Sequence, residues 1–418
     1  MDKKSNEKIL NLFANGQQPF LTDLTRDQDV QVKLVKGKIK VKRKVTFDEQ
    51  RNYSVKVADI LETGKSHHER QAARIRKCAQ RLEMGFVTDS LGVPILKLKS
   101  AYFCRVRNCP VCQWRRAKMW SARFFEAFPK IFNDYPKMRY IFLTLTVANC
   151  PVSELNSTVQ TMNKAFKRMS ERKDFPALGY VRSLEVTKEK NKYDKSGKKL
   201  IRAARPDYCH PHFHVLMAVP ESYFCGRNYL TKDDYALMWK EALRVDYDPV
   251  CDIRIIKSKD VIKDKDFLEP HDRDLAEFEA LQAAIVEVVK YTVKPSDMIS
   301  DVDWFLELVN QLHKTRAVAL GGIFKDYLKV DSSKKEDLVT PTEREGNEGG
   351  FVFGWLGDVK RYRFLHFKNK DSDSVRKPLK DKSKWGRGFY RSFDLFEVPH
   401  FCLLSPSSQS LEIRNLGF

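Results

Sequence analysis

The sequence predicts an α+β chain, and three observations lead there. From Tyr140 to about Val330 strand-like and helix-like segments alternate, and three of the strands carry polar side chains in phase on one face. Four of the nine cysteines crowd into a short basic stretch that runs into a helix-like segment. With 42% hydrophobic and 11% aromatic residues, the 418-residue chain can bury one large core or two modest ones.

Residues 1–65 are polar and basic, and their alternating stretch Val30–Lys44 reads as an edge strand or hairpin, or as a loose basic arm. Residues 66–135 hold the clustered cysteines and the basic helix-like segment Trp114–Phe128. Residues 136–330 carry the alternating strands and helices. Within 331–418, the charged, glycine-containing run Asp331–Gly350 reads as a linker. Beyond it a C-terminal extension of short aromatic strands is interrupted by the basic run Lys368–Arg387.

Lys and Arg outnumber Asp and Glu by 76 to 55, a net charge of +21. A solvated surface is the plain reading of such an excess. A polyanionic partner is the sharper one, because each neutralised phosphate releases counterions. No apolar run approaches the roughly 20 residues of a spanning helix, and the start MDKKSNEKIL lacks the apolar core of a signal peptide. The expected place is the cytoplasm, with no membrane partner. Nine cysteines in such a chain argue against a disulfide framework. Cys150, Cys209, Cys225, Cys251 and Cys402 are scattered and read as small apolar residues.

Three strands carry chemistry. Tyr140–Val147 is apolar and β-branched, with Thr144 and Thr146 on one face. Tyr180–Thr187 puts Glu185 in phase with Ser183 and Thr187. Cys209–Val219 sends His210, His212 and His214 to one face and Phe213, Val215 and Met217 to the other. Imidazoles two residues apart converge above a sheet and suit a divalent cation. Glu185 is the natural third ligand if the two strands pair antiparallel. Imidazole with carboxylate selects Mn²⁺, and Mg²⁺ fits when phosphate and water complete the shell. Three histidines without a ligand, or a hydrolytic zinc site, are the competing readings.

Leu275–Lys294 reads as an amphipathic helix closed by Pro295, with Leu275, Phe278, Leu281, Ile285, Val288 and Thr292 as its buried stripe. Glu287, Tyr291 and Lys294 then share the opposite side. By pattern alone this is an ordinary charged face. Beside a metal, Tyr291 becomes a nucleophile toward phosphate, Lys294 a counter-charge and Glu287 a general base.

Phe142-Leu-Thr-Leu-Thr146, His210-Pro-His-Phe-His-Val-Leu216 and Glu287-Val-Val-Lys-Tyr-Thr-Val-Lys294 occur in that order. They resemble the three motifs of plasmid rolling-circle replication initiators, within the His-hydrophobic-His (HUH) endonucleases. Val181–Thr187 and Leu237–Arg254 also look like the family's flanking stretches, and the similarity runs from about Arg70 to Pro295. The resemblance implies a central antiparallel sheet with helices on one face and the metal on the other, over 136–330. It makes His212 and His214 metal ligands, with Glu185 or His210 completing the set. Tyr291 would cut one strand at the origin, keep the 5′-phosphate and release a 3′-OH. Glu287, one turn earlier, would let water make the terminating cleavage. Partners implied are plasmid origin DNA, a host helicase, polymerase and single-strand-binding protein, and a second subunit on the DNA.

Cys109-Pro-Val-Cys112 is a Cys-x-x-Cys knuckle with Cys104 five residues ahead, and Cys78 completes a set of four for structural Zn²⁺. His67 and His68 are alternative ligands, and a redox pair is the rival reading. Arg105, Arg107, Arg115 and Arg116 around the cysteines are expected to bind phosphates. Origin recognition is expected in this module or after residue 330. Two other functions stand against the initiator: a transposase or relaxase of the same fold, and a non-catalytic zinc-containing DNA-binding regulator. Tyr291 lies after the histidines, whereas relaxases usually carry their tyrosine near the N-terminus.

Overall fold

Strict alternation over 208–220 makes that segment the middle strand of a sheet whose two faces do different work. The computed structural model describes residues 18–25, 30–35, 38–88, 94–194, 196, 198–225, 229–256, 280–290, 292–328, 338 and 350–368. The chain opens with a short helix α1 (Leu21–Thr25), the antiparallel hairpin β1 (Val30–Val35) and β2 (Lys38–Arg43), and helices α2 (Phe47–Glu62) and α3 (Ser66–Lys77). Strands β3 (Arg81–Thr88) and β4 (Pro94–Ala101) precede the long helix α4 (Pro110–Asp134). Next come β5 (Met138–Thr146), β6 (Cys150–Pro151), helix α5 (Leu155–Ser170), β7 (Gly179–Lys188), β8 (Lys192–Tyr193), β9 (Leu200–Arg202) and β10 (Tyr208–Pro220). Helix α6 (Lys232–Leu243) and β11 (Cys251–Ile255) follow, then helical residues 280–288, called α7. The described chain ends with α8 (Pro295–Met298), α9 (Val302–Gln311), β12 (Val318–Gly322), α10 (Phe324–Tyr327), β13 (Gly350–Leu356) and β14 (Arg361–Lys368).

The main sheet has the order β11-β5-β10-β7-β12, with β6 paired to the start of β10, and every pairing is antiparallel. This is the α+β architecture with a central antiparallel sheet. On one face Phe213, Val215 and Met217 pack with Val159 and Phe166 of α5 and Tyr235 and Trp239 of α6. A capping box between Thr231 and Asp234 starts α6, and Arg244 ends it in the left-handed conformation (φ 62°). The histidine face is not wholly open. Its far half, Phe142, Val181, Leu216 and Ala218, is covered by Phe124 and Phe128 of α4 and by Leu281 and Ile285 of α7. Among the described residues, the end of the sheet that bears His212 and His214 lies beyond this cover and is left for chemistry.

A second antiparallel sheet, β14-β13-β3-β4, joins residues 350–368 to 81–101. The divisions expected at 66–135 and 331–418 therefore cut across one sheet. Tyr362 is fully buried there, its hydroxyl donating to the Ala79 carbonyl and its N–H to Asp48 (2.9 Å). The expected hairpin within residues 1–65 is present as β1–β2, but α2 is a packed helix rather than part of a loose arm. Its Thr46–Glu49 capping box sets the first turn, and buried Arg51 donates to the carbonyls of Ile75 (2.8 Å) and Arg76 (2.6 Å) at the end of α3.

Gly322 closes β12 at φ 55°, where a Cβ would stand 2.0 Å from the Leu178 carbonyl oxygen. Gly322→Ala should cost at least about 1–2 kcal/mol, read as a lower urea midpoint with unchanged slope. An unaltered midpoint would mean that residue 322 is not held in this conformation.

Candidate active site and metal centres

Register builds the site. β10 sets His212 opposite Glu185 of β7 and Thr146 of β5, and His214 opposite Ser183 and Thr144. The Nε2 atoms of His212 and His214 lie 3.4 and 2.9 Å from the same Glu185 oxygen, Oε2. One ligand atom from each of the three residues fits within 4.8 Å of the others, all on buried or nearly buried side chains. His212 turns Nδ1 to the His210 carbonyl (3.2 Å), so Nδ1 carries a proton and Nε2 is the ring nitrogen left to face Glu185 or a cation. His214 turns Nδ1 to the Thr144 hydroxyl (3.4 Å). Burial alone would raise the Glu185 carboxyl, but hydrogen bonds and charge from His212 and His214 outweigh it and hold the group well below the carboxylate range. A permanent anion between two imidazoles directed by outer partners is a donor set that fits a divalent cation.

His210 shares this face but not the cluster. Its Nδ1 is 2.7 Å from Asn149 Oδ1, and burial, then the neighbouring His212, push its pKa down to about 4. Asn149 also donates to Glu189 (2.7 Å), which accepts from Arg205 and Arg202. No sequence signal marked Asn149 or this network, because each residue is polar in a loop-like stretch.

The expected helix through Lys294 needs correction. α7 stops at residue 288, and Pro295 starts α8 instead of closing α7. Leu281, Ile285, Val288 and Thr292 are buried as expected, while Leu275, Phe278 and Tyr291 lie outside the described residues. The Val186 N–H donates to the Thr292 carbonyl (2.7 Å), which ties the chain next to residue 291 to the strand bearing Glu185. Lys294 Nζ stands 3.8 Å from Glu185 Oε1. Glu287 pairs with Lys290 (3.0 Å).

Cys78, Cys104, Cys109 and Cys112 converge in a buried cluster at the end of α3 and the start of α4. Sulfur separations of 3.6 Å (Cys78–Cys112, Cys104–Cys112) and 3.7 Å (Cys78–Cys109) leave all four as free thiols. A tetrahedral Zn²⁺ with bonds of about 2.3 Å requires edges of roughly 3.8 Å. The amides of Cys104 and Arg105 point at the sulfurs of Cys78 (3.4 Å) and Cys112 (3.3 Å), as in a metal knuckle. Burial pushes the Cys78 and Cys104 thiols up, so a cation is what would keep them ionised. His67 and His68 face Asn310 (2.8 and 2.9 Å) and are not in the cluster.

The four arginines do not form one DNA-facing patch. Arg115 is 1% exposed and donates to the Leu338 carbonyl (3.1 Å), which leaves it no surface for a phosphate. Arg107 clamps the carbonyls of Leu312 (3.3 Å) and Thr315, and Arg116 donates to the Arg105 carbonyl (2.9 Å).

With this geometry in hand, comparison places the chain. A family described as replication protein matches residues 95–363, more than half of the chain. The chain belongs to that family. It is 32% identical over 295 residues to a Protein rep of Streptococcus pneumoniae, covering 68% of this chain and 80% of that one. It is 30% identical over 315 residues to a Protein rep of Bacillus amyloliquefaciens (72% and 86%) and 28% identical over 250 residues to a Replication protein of Staphylococcus aureus (56% and 93%). No solved structure matches. The resemblance to plasmid replication initiators, stated on three motifs, thus holds across most of the chain.

Two outcomes follow from the site. Stripping metal with a strong chelator, or Cys109→Ser, should lower the melting temperature by ten degrees or so and release one equivalent of tightly held metal. Metal analysis that finds none in the native chain would remove the cluster's assignment. Glu189 is held down to about 2, chiefly by its hydrogen bonds from Arg205, against an ordinary 4.5. Its contribution to stability is complete above about pH 4.5 and disappears as the pH falls toward 2. Glu189→Gln should therefore unfold earlier than the parent at pH 7, with the gap closing over that window. A gap independent of pH would point to packing instead.

Proposed function

We propose that this replication protein initiates plasmid rolling-circle replication by nicking one strand of the origin with Tyr291. The observation that carries this reading is the convergence of His212, His214 and Glu185 on one point, with the carbonyl of Thr292 tied to β7 one residue from Glu185. A divalent cation on those three residues, Mn²⁺ or Mg²⁺, would withdraw charge from the scissile phosphate. The Tyr291 oxygen attacks phosphorus in line with the 3′-oxygen. The P–O3′ bond breaks, a 5′-phosphotyrosyl ester forms, and the tyrosine proton passes to Glu287 while solvent protonates the leaving 3′-oxygen. Lys294 holds Glu185 in place and neutralises charge growing on the phosphoryl oxygens. Glu287 later activates the water of the terminating cleavage. The four cysteines take Zn²⁺, whose preference for closed thiolate sets matches theirs. Cytoplasmic origin DNA as partner agrees with the +21 charge.

Supercoiled origin plasmid and a labelled single-stranded origin oligonucleotide, each with Mn²⁺, Mg²⁺ or EDTA, test the reading. The expected result is a metal-dependent nick with a covalent protein–DNA adduct. Tyr291→Phe should lower nicking on the order of a thousandfold or more while binding persists. An adduct formed by that variant would make another residue the nucleophile. Binding to origin DNA without any nick would leave a DNA-binding protein.

A further inference from the structure

A cavity of about 350 Å³ opens between the start of α4, the chain leaving α7 and the turn after α9. Arg105, Arg107, Arg116, Lys290 and Lys314 contribute to its wall, and no Asp or Glu is among its lining residues. Lys290 and Thr292, on either side of residue 291, both line it. Two of its side chains are buried amides, Asn108 (2% exposed) and Gln113 (6%). Asn108 Oδ1 and both polar atoms of Gln113 have no hydrogen-bond partner, and neither have Nε and Nη2 of Arg107. Orphaned amides in an interior are costly, so they cluster where a ligand completes them. Burial and the nearby Arg116 push the Arg107 guanidinium down to about 10, a strain that an anion would relieve.

The amides separate the ligand classes. A backbone phosphodiester by itself offers only acceptors, which satisfies the arginines but not Asn108 Oδ1 or the Gln113 oxygen. Gln113 lacks partners at both ends, so its demand for a donor holds whichever way the amide is turned. A nucleobase edge offers donor and acceptor side by side, and Asn and Gln are the side chains that read it. Val309, Leu312 and Ala317 supply an apolar wall for its ring.

We propose that this cavity receives one unstacked nucleotide of the cut strand, its phosphate against Arg105, Arg116 and Lys290 and its base edge against Asn108 and Gln113. The inference rests on the reading that DNA is cut at Tyr291, whose chain neighbours form part of the wall. The metal-knuckle module would then choose the base beside the nick, and the two centres would act on adjacent nucleotides.

The test uses the full metal-loaded chain carrying Tyr291→Phe, so that strands are bound and not cut. Fluorescence anisotropy with short labelled poly-dA, poly-dC, poly-dT and abasic strands of equal length gives four Kd values. Base strands should differ by about tenfold, with the abasic strand weakest. Gln113→Leu or Asn108→Leu should collapse that spread and leave the abasic Kd within about twofold. Arg116→Ala should weaken every strand and lower the salt slope by roughly 0.7. Gln113 adjoins Cys112, so metal content and melting are measured for each variant, with Gln113→Met in reserve for a leucine variant that loses metal. Discrimination that survives both amide substitutions, or its absence in the parent, overturns the proposal. Nicking by the unsubstituted chain is scored separately. Base-selective binding without nicking sinks the nuclease reading alone, and nicking without base selection sinks the cavity alone.

Discussion

Everything at the site depends on one cross-strand register, His212 opposite Glu185. Side chains alternate along β10, so a slip of one residue would carry both histidines into the apolar core and turn Phe213 and Val215 outward. The core forbids that slip. Phe213 is locked between Phe166 and Trp239, and on the other face Leu216 and Ala218 are covered by α4 and α7. Packing on both faces thus fixes which atoms meet above the sheet. Two imidazole nitrogens reach one carboxylate oxygen with no loop asked to hold them.

The cysteine cluster solves a different problem with the same economy. The end of α3, the stretch after β4 and the start of α4 meet at four sulfurs, and Ser54 of α2, whose hydroxyl donates to the Gln50 carbonyl (2.9 Å), lies 3.7 Å from the Cys109 sulfur. The fold then ties this module to the sheet twice. α4 begins at the cysteines and ends in the core beneath β5, and Arg107 grips the carbonyls that follow α9. A rigid path from the thiols to the histidine face is the result, and the amide-lined cavity lies along it. The module also borrows β13 and β14 from the far end of the chain, so those strands complete its sheet.

Much of this was legible in the sequence, for reasons tied to particular residues. Period-two alternation gave the faces of β5, β7 and β10, and Cys-x-x-Cys spacing pointed to the thiol cluster. Pairing of 350–368 with 81–101 was not legible, since nothing local records a strand's partner across so much chain. Buried arginines misled for a related reason. Arg115 and Arg107 read as exposed phosphate ligands because charge predicts exposure, yet both are buried or half-buried, with Nε of Arg115 and Nη1 of Arg107 on main-chain carbonyls that only the tertiary fold brings to them. Asn149, which orients His210, carries no pattern at all.

The end of α7 shows why periodicity failed at the most consequential place. Apolar residues at helical spacing continue to Thr292, so the pattern favours helix. Two opposing forces are also written there. Val288, Val289, Thr292 and Val293 are β-branched and weak helix formers, and Pro295 disfavours helical backbone at Lys294. The decisive term is non-local: β12 pairs with β7 only as far as Ser183, which leaves the Val186 N–H on a sheet edge in need of an acceptor. Thr292 supplies it, and leaving the helix satisfies a buried donor that a further helical turn would have stranded. The same departure brings Lys294 to Glu185, whereas six more residues of continuous helix would have carried Lys294 about 9 Å along the axis from residue 288. A helix that breaks to complete the sheet is therefore what joins the tyrosine motif to the histidine motif.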